Sequence, residues 1–132
     1  RIEMLKLNSI HHLAIICSDY QVSKHFYTEV LGLKILNEVY RTDRHSYKLD
    51  LSVNGRYQIE LFSFPEPPER VSDPEARGLR HIAFETDDLT QSVNLLNRMG
   101  VNTEQIRLDE FTGKKFVFFQ DPDGLPIELY ES

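Results

Sequence analysis

Two histidines and two glutamates hold matching positions in the two halves of this sequence. His12 and His81 lie 69 residues apart, and Glu60 and Glu128 lie 68 apart. Imidazole nitrogens and carboxylate oxygens are donors that a divalent transition metal accepts, and the carboxylates offset its charge. Two nitrogens and two oxygens leave about one or two positions for water or substrate, as a catalytic site requires. A carboxylate at the edge of such a site can also act as general base. Singly, each residue has an ordinary reading, a satisfied strand histidine or a glutamate on a solvated sheet face. The recurrence of one His and one Glu per half is what points to a metal. Neutral imidazole suits Zn, Ni, Co or Fe.

The recurrence belongs to an internal repeat. His-His-Leu-Ala-Ile-Ile-Cys-Ser-Asp at 11–19 matches Arg-His-Ile-Ala-Phe-Glu-Thr-Asp-Asp at 80–88. Gly32 and Gly100 match too, each 28 residues before its glutamate. Each half reads as βαβββ. Residues 10–17 and 81–86 are short apolar runs of buried-strand type. Asp19 and Asp87 or Asp88 offer N-caps. Val22, Phe26, Tyr27, Val30 and Leu31, then Leu89, Val93, Leu96 and Met99, fall at helical spacing before a glycine stop. The remaining strands are expected at 34–41, 47–53 and 57–64, with an Asn54-Gly55 turn, and at 104–109, 114–120 and 126–131.

Strand alternation then sorts the side chains. Leu13, Ile15, Ile59 and Leu61 share one face in the first half, and Ile82, Phe84, Ile127 and Leu129 do so in the second. The helix of each half is expected on that aliphatic face. His12, Glu60, His81 and Glu128 are left on the open one, and pairing of the halves about a pseudo-twofold axis would make them converge.

Residues 65–78 open with three prolines in Pro65-Glu66-Pro67-Pro68, which exclude regular helix or inner strand. They read as a stiff linker or as a loop over a ligand site. The domain expected is 4–132, made of repeats 8–64 and 79–132, with residues 1–3 a remnant preceding Met4. His11 is expected on the covered side or at the strand end, and His25 and His45 have no repeat counterpart. Cys17 reads as a buried small hydrophobe.

The 132 residues carry 15 basic and 21 acidic side chains, a net charge of −6. No cationic stripe suits nucleic acid, no apolar run suits a bilayer, and one cysteine excludes an internal disulfide framework. These features point to a cytoplasmic protein with neither nucleic acid nor membrane as partner.

The chain resembles the vicinal-oxygen-chelate superfamily, of which glyoxalase I (lactoylglutathione lyase) is the best-known member. The resemblance runs from Ile10 to Glu131. It rests on His-His-Leu-Ala-Ile-Ile, on Phe26-Tyr27 before Leu31-Gly32, and on Asp121-Pro122-Asp123-Gly124 before Ile127-Glu128-Leu129. It implies an α+β fold, two βαβββ repeats forming a cupped mixed sheet, usually in a homodimer. It also implies His12, Glu60, His81 and Glu128 as metal ligands, with Glu128 as catalytic base and Glu60 assisting. The implied reaction converts a thiol–2-oxoaldehyde hemithioacetal to a 2-hydroxyacyl thioester. Extradiol dioxygenases of the superfamily use two His and one Glu around Fe(II), so Glu60 favours the glyoxalase branch, and the resemblance implies Zn or Ni/Co with Fe less favoured. One position departs: Ile16 stands where many bacterial members carry an arginine for the glutathione carboxylate. Another thiol adduct is therefore open as substrate, with Arg41, Arg44, Lys48 or Arg80 as substitute cations. A dioxygenase, epimerase, thiol transferase or non-catalytic metabolite-binding protein of the same fold are the alternatives.

Overall fold

Asp19 and Asp88 start the α-helix of each repeat. Each holds an extended backbone and accepts a hydrogen bond three residues on, Asp19 from the Val22 N–H and Asp88 from the Gln91 N–H. This satisfies an amide that a helix start leaves without a partner. A computed structural model describes residues 3–132. Arg1 and Ile2, two of the three residues expected to be a remnant, lie outside the described residues. The chain divides into two units, one ending at Pro67 and the other running Pro68–Ser132.

The first unit contains β1 (Leu13–Cys17), α1 (Tyr20–His25), β2 (Lys34–Arg41), β3 (Ser46–Val53) and β4 (Arg56–Ser63). The helical turns widen over Phe26–Val30 and end at Gly32, whose φ of 73° is the left-handed stop. The sheet order is β1-β4-β3-β2, with β1 parallel to β4 and the other pairs antiparallel. The second unit repeats the plan with β5 (Ile82–Thr86), α2 (Leu89–Arg98), β6 (Arg107–Leu108), β7 (Lys115–Gln120) and β8 (Pro126–Glu131). Its order is β5-β8-β7-β6, again with one parallel pair. Both units are thus βαβββ modules, each with a four-stranded mixed sheet.

The aliphatic face is the covered one. Leu49, Leu51, Ile59 and Leu61 are buried in the first unit, and Val117, Phe119 and Ile127 in the second. Each such side chain contributes about 1.5–3 kcal/mol by leaving water. Tyr20 of α1 stacks on Tyr47 of β3, ring centroids 4.2 Å apart. On the opposite face Ile16 is 54% exposed, whereas Glu60 and Ser46 are buried. Cys17 is buried, as expected.

Several expectations need correction. The first strand starts at Leu13 rather than residue 10, because the β4 register that it follows is interrupted beyond Ile59. Val22 and Met99, at helical spacing with the core residues, are half exposed. Residues 104–109 form only the two-residue β6; on either side of it Glu104 N–H bonds the Phe118 carbonyl and Asp109 N–H the Lys114 carbonyl without extending the strand. Residues 64–81 hold neither helix nor strand. Within them Arg70 donates to the carbonyls of Leu79 and Arg80.

Candidate functional site

In the first unit His12 precedes β1 and Glu60 lies in the middle of β4. Ala14 sits opposite Glu60 in the parallel register, which brings the His12 imidazole over the carboxylate. His12 Nε2 is 3.4 Å from Glu60 Oε2. The other ring nitrogen, Nδ1, lies 2.8 Å from Nδ1 of His11. His11 is therefore at the strand end and exposed, beside His12 rather than under the sheet.

Glu60 is held from a second side. The Tyr57 hydroxyl donates to Glu60 Oε2, and the Tyr57 ring stacks on His12 with centroids 5.7 Å apart. Burial, then the Glu60 bond and the neighbouring Asp50 and Glu60 charges, hold the Tyr57 phenol well above its usual range. Lys48 Nζ contacts Asp50 Oδ1 at 2.6 Å and Glu60 Oε2 at 3.8 Å.

Alternation along β4 would put Tyr57, three residues from Glu60, on the covered face. A bulge changes this. Leu51 pairs with Ile59 and Ser52 with Tyr57, so Gln58 is an extra residue and Tyr57 joins the face of Glu60. Neither composition nor periodicity signals that residue, so Tyr57 was absent from the expected site.

In the second unit His81 precedes β5 and Glu128 lies in β8 opposite Ala83. His81 Nε2 is 3.2 Å from Glu128 Oε1. Arg80 Nη1 lies 3.3 Å from His81 Nδ1. The Phe118 ring, directly across the strand pair from Glu128, meets His81 edge to face with centroids 5.0 Å apart.

The structure thus brings His12 to Glu60 and His81 to Glu128. Among the described residues no group of three or more His, Cys, Asp or Glu is arranged to hold a metal ion. The set expected from sequence therefore stands as two pairs, one per unit. The chemistry of each pair fits a metal. Two donors at about 2.1 Å from one ion, separated by about 90–110°, lie about 3.0–3.4 Å apart. Both pairs have that spacing between an imidazole nitrogen and a carboxylate oxygen. The remote nitrogen of His12 is engaged by His11, an arrangement that orients a ligating ring, whereas the remote nitrogen of His81 faces Arg80, which can only donate to it.

Fold and paired donors together define a class. The chain belongs to the Glyoxalase/Bleomycin resistance protein/Dioxygenase superfamily, whose pattern matches residues 9–129. It is 61% identical over 125 residues to the uncharacterized protein YwkD of Bacillus subtilis, covering 95% of this chain and 98% of YwkD. A glyoxalase family protein of Enterococcus faecalis has the same fold, with a TM-score of 0.85 and 48% identity over 93% of this chain and 97% of that one. The metallothiol transferase FosB of Staphylococcus epidermidis is 28% identical over 96% of this chain and 83% of its own length. Among the described residues no helix is long and apolar enough to cross a membrane.

Proposed function

We propose that the protein is a metalloenzyme of glyoxalase I type, converting a thiol–2-oxoaldehyde hemithioacetal to a 2-hydroxyacyl thioester. His12, Glu60, His81 and Glu128 ligate one divalent ion, Zn or Ni/Co, with the modules paired within one chain or across a homodimer. The observation that carries this reading is the duplicated His–Glu pair, 3.4 Å in one module and 3.2 Å in the other. When bound, the ion supplies polarisation of two adjacent substrate oxygens and offsets the negative charge that grows on them.

The chain's own residues do the rest. Glu128 accepts the proton from the carbon bearing the hydroxyl and returns it to the neighbouring carbon, so the reaction is a net isomerisation. Its role as base is supported by its surroundings: Phe118 lies across from it, and among the described residues no hydroxyl or ammonium hydrogen bond occupies its oxygens. Glu60 has one oxygen engaged by Tyr57 and serves first as a ligand. The protein is placed in the cytoplasm on its composition.

Metal content and turnover of methylglyoxal hemithioacetals of several thiols test the reading. Activity is expected to require the metal and to fall in His12→Ala, Glu60→Gln, His81→Ala and Glu128→Gln. A protein that binds no divalent ion, or that turns over no adduct when loaded, would overturn it. The similarity to FosB favours a second reading, in which a thiol is transferred to an electrophile at the same centre. A thiol consumed only with such an acceptor, and not with 2-oxoaldehydes, would select it.

A further inference from the structure

The two paired histidines differ in what faces their remote nitrogen. His11 and His12 meet Nδ1 to Nδ1 at 2.8 Å, and a neutral imidazole can either donate or accept there. At His81 the neighbour is the Arg80 guanidinium, with Nη1 3.3 Å from Nδ1. A guanidinium has donors only. It therefore keeps the lone pair of His81 on Nδ1 and the proton on Nε2, the nitrogen 3.2 Å from Glu128 Oε1. Arg80 is itself held by the segment that precedes β5. Its Nε and Nη2 lie 3.1 and 3.0 Å from Glu75 Oε1. Arg70 donates to the Leu79 and Arg80 carbonyls at 2.9 and 3.1 Å and to Ser72 Oγ at 2.7 Å, which fixes the backbone on which Arg80 stands.

An imidazole that ligates a cation through Nε2 needs its lone pair there and its proton on Nδ1, where an acceptor receives it. His11 supplies that acceptor to His12. Arg80 cannot supply it to His81, and its charge repels an incoming cation. Ligation by His81 thus requires the guanidinium to leave Nδ1. Glu75 gives it a place to go, since a carboxylate takes two guanidinium donors in parallel. The side chains of Arg80 and Glu75 are 62% and 65% exposed, so both can turn without disturbing the core.

We infer that Arg80 is a positioning residue that opposes cation binding at His81, and that Glu75 of the proline-rich segment relieves the opposition. With the guanidinium on His81, the ring presents Nε2–H to Glu128. With the guanidinium drawn fully to Glu75, the ring presents a lone pair instead. The segment between the modules thereby regulates the site. The inference rests on His81 and Glu128 serving as ligands. It makes the two pairs unequal: His12–Glu60 is set for a cation, and His81–Glu128 must first rearrange.

The test begins with the full chain stripped of metal, its histidine nitrogens isotopically labelled and read by NMR at a pH where the rings are neutral. His81 is expected to carry its proton on Nε2, and a proton found on Nδ1 would overturn the inference. Zn²⁺ affinity is then measured by competition with a chromophoric chelator, at about 1 M salt, where a Debye length of about 3 Å screens the bare charge. Arg80→Gln, whose carbonyl can accept from Nδ1, is expected to bind about tenfold tighter, the lower end of what a group contacting a ligand is worth. Arg80→Lys, which keeps the charge and only donates, should stay closer to wild type. Glu75→Gln should weaken binding by about two- to fivefold, the worth of an exposed ion pair, and should change nothing in an Arg80→Gln background. Melting curves show which variants are folded. Equal affinities across the folded variants, or weaker binding in Arg80→Gln, refute the role of Arg80 and leave the proposed metal centre standing. Zn²⁺ uptake by none of them, wild type included, refutes both.

Discussion

The two modules share a plan and differ in what surrounds the same pair of residues. In each, a histidine just before the first strand reaches a glutamate in the middle of the last. Opposite Glu60 stands Asp50, with Lys48 and Tyr57 beside it. Opposite Glu128 stands Phe118, with Phe116 close by. The pair geometry follows from the repeated βαβββ register and is nearly equal in the two. The chemistry available to each carboxylate follows from its cross-strand neighbour, and there the modules diverge. One glutamate is fixed in a polar network, while the other has lone pairs open to a proton.

That contrast is broken most directly at the glutamates. Glu128→Gln is expected to lower kcat for hemithioacetal isomerisation by about 10²–10⁴, the usual worth of a general base. Glu60→Gln should cost less, since its carboxamide oxygen can still coordinate. Steady-state kinetics on metal-loaded variants of equal metal content decide this, and equal losses would erase the division of labour. Tyr57→Phe sharpens the contrast. Removing its hydroxyl from Glu60 should weaken metal affinity by about 10–100-fold, as loss of a group supporting a ligand does. Competition with a chromophoric chelator measures it, and the second module offers no equivalent residue to change.

Smaller effects test where the modules are alike. Asp19→Ala and Asp88→Ala each remove a helix cap and should each cost about 1 kcal/mol in urea unfolding. A large inequality would mean that the modules are not energetically parallel. The smallest effect concerns Glu38, which lies only in the first module. Lys24 and then Tyr20 hydrogen-bond its carboxylate and hold it below the usual range. A carboxylate lowered on folding stabilises the protein above its unfolded value, and that contribution is lost as pH falls through its folded value. Glu38→Gln should therefore cost under about 1 kcal/mol at pH 7, with the difference from wild type vanishing in unfolding curves taken in acid.

Much of this organisation is legible before any coordinates. The repeat predicted two modules because duplicated spacing preserves duplicated topology. Helix starts at Asp19 and at Asp87 or Asp88 follow from local hydrogen bonding, the structure selecting Asp88, and β2 and β8 have the limits that their patterns predict. Alternation placed Glu60 and Glu128 on the faces opposite the aliphatic ones, since a strand's period of two is a local property. The half-exposure of Val22 and Met99 was not legible, because spacing defines a helix face without saying how far the sheet beneath it extends.

By itself, then, the sequence determined the duplication, the strand faces and the recurrence of His with Glu, all consequences of short-range geometry. Only the tertiary structure decided that Tyr57 bonds Glu60, that His11 engages His12, and that Arg41 lies on Phe62 and Phe64. Those contacts depend on cross-strand register. A single extra residue at Gln58 reverses the side of the sheet that Tyr57 faces, and no local pattern encodes where such a bulge will fall.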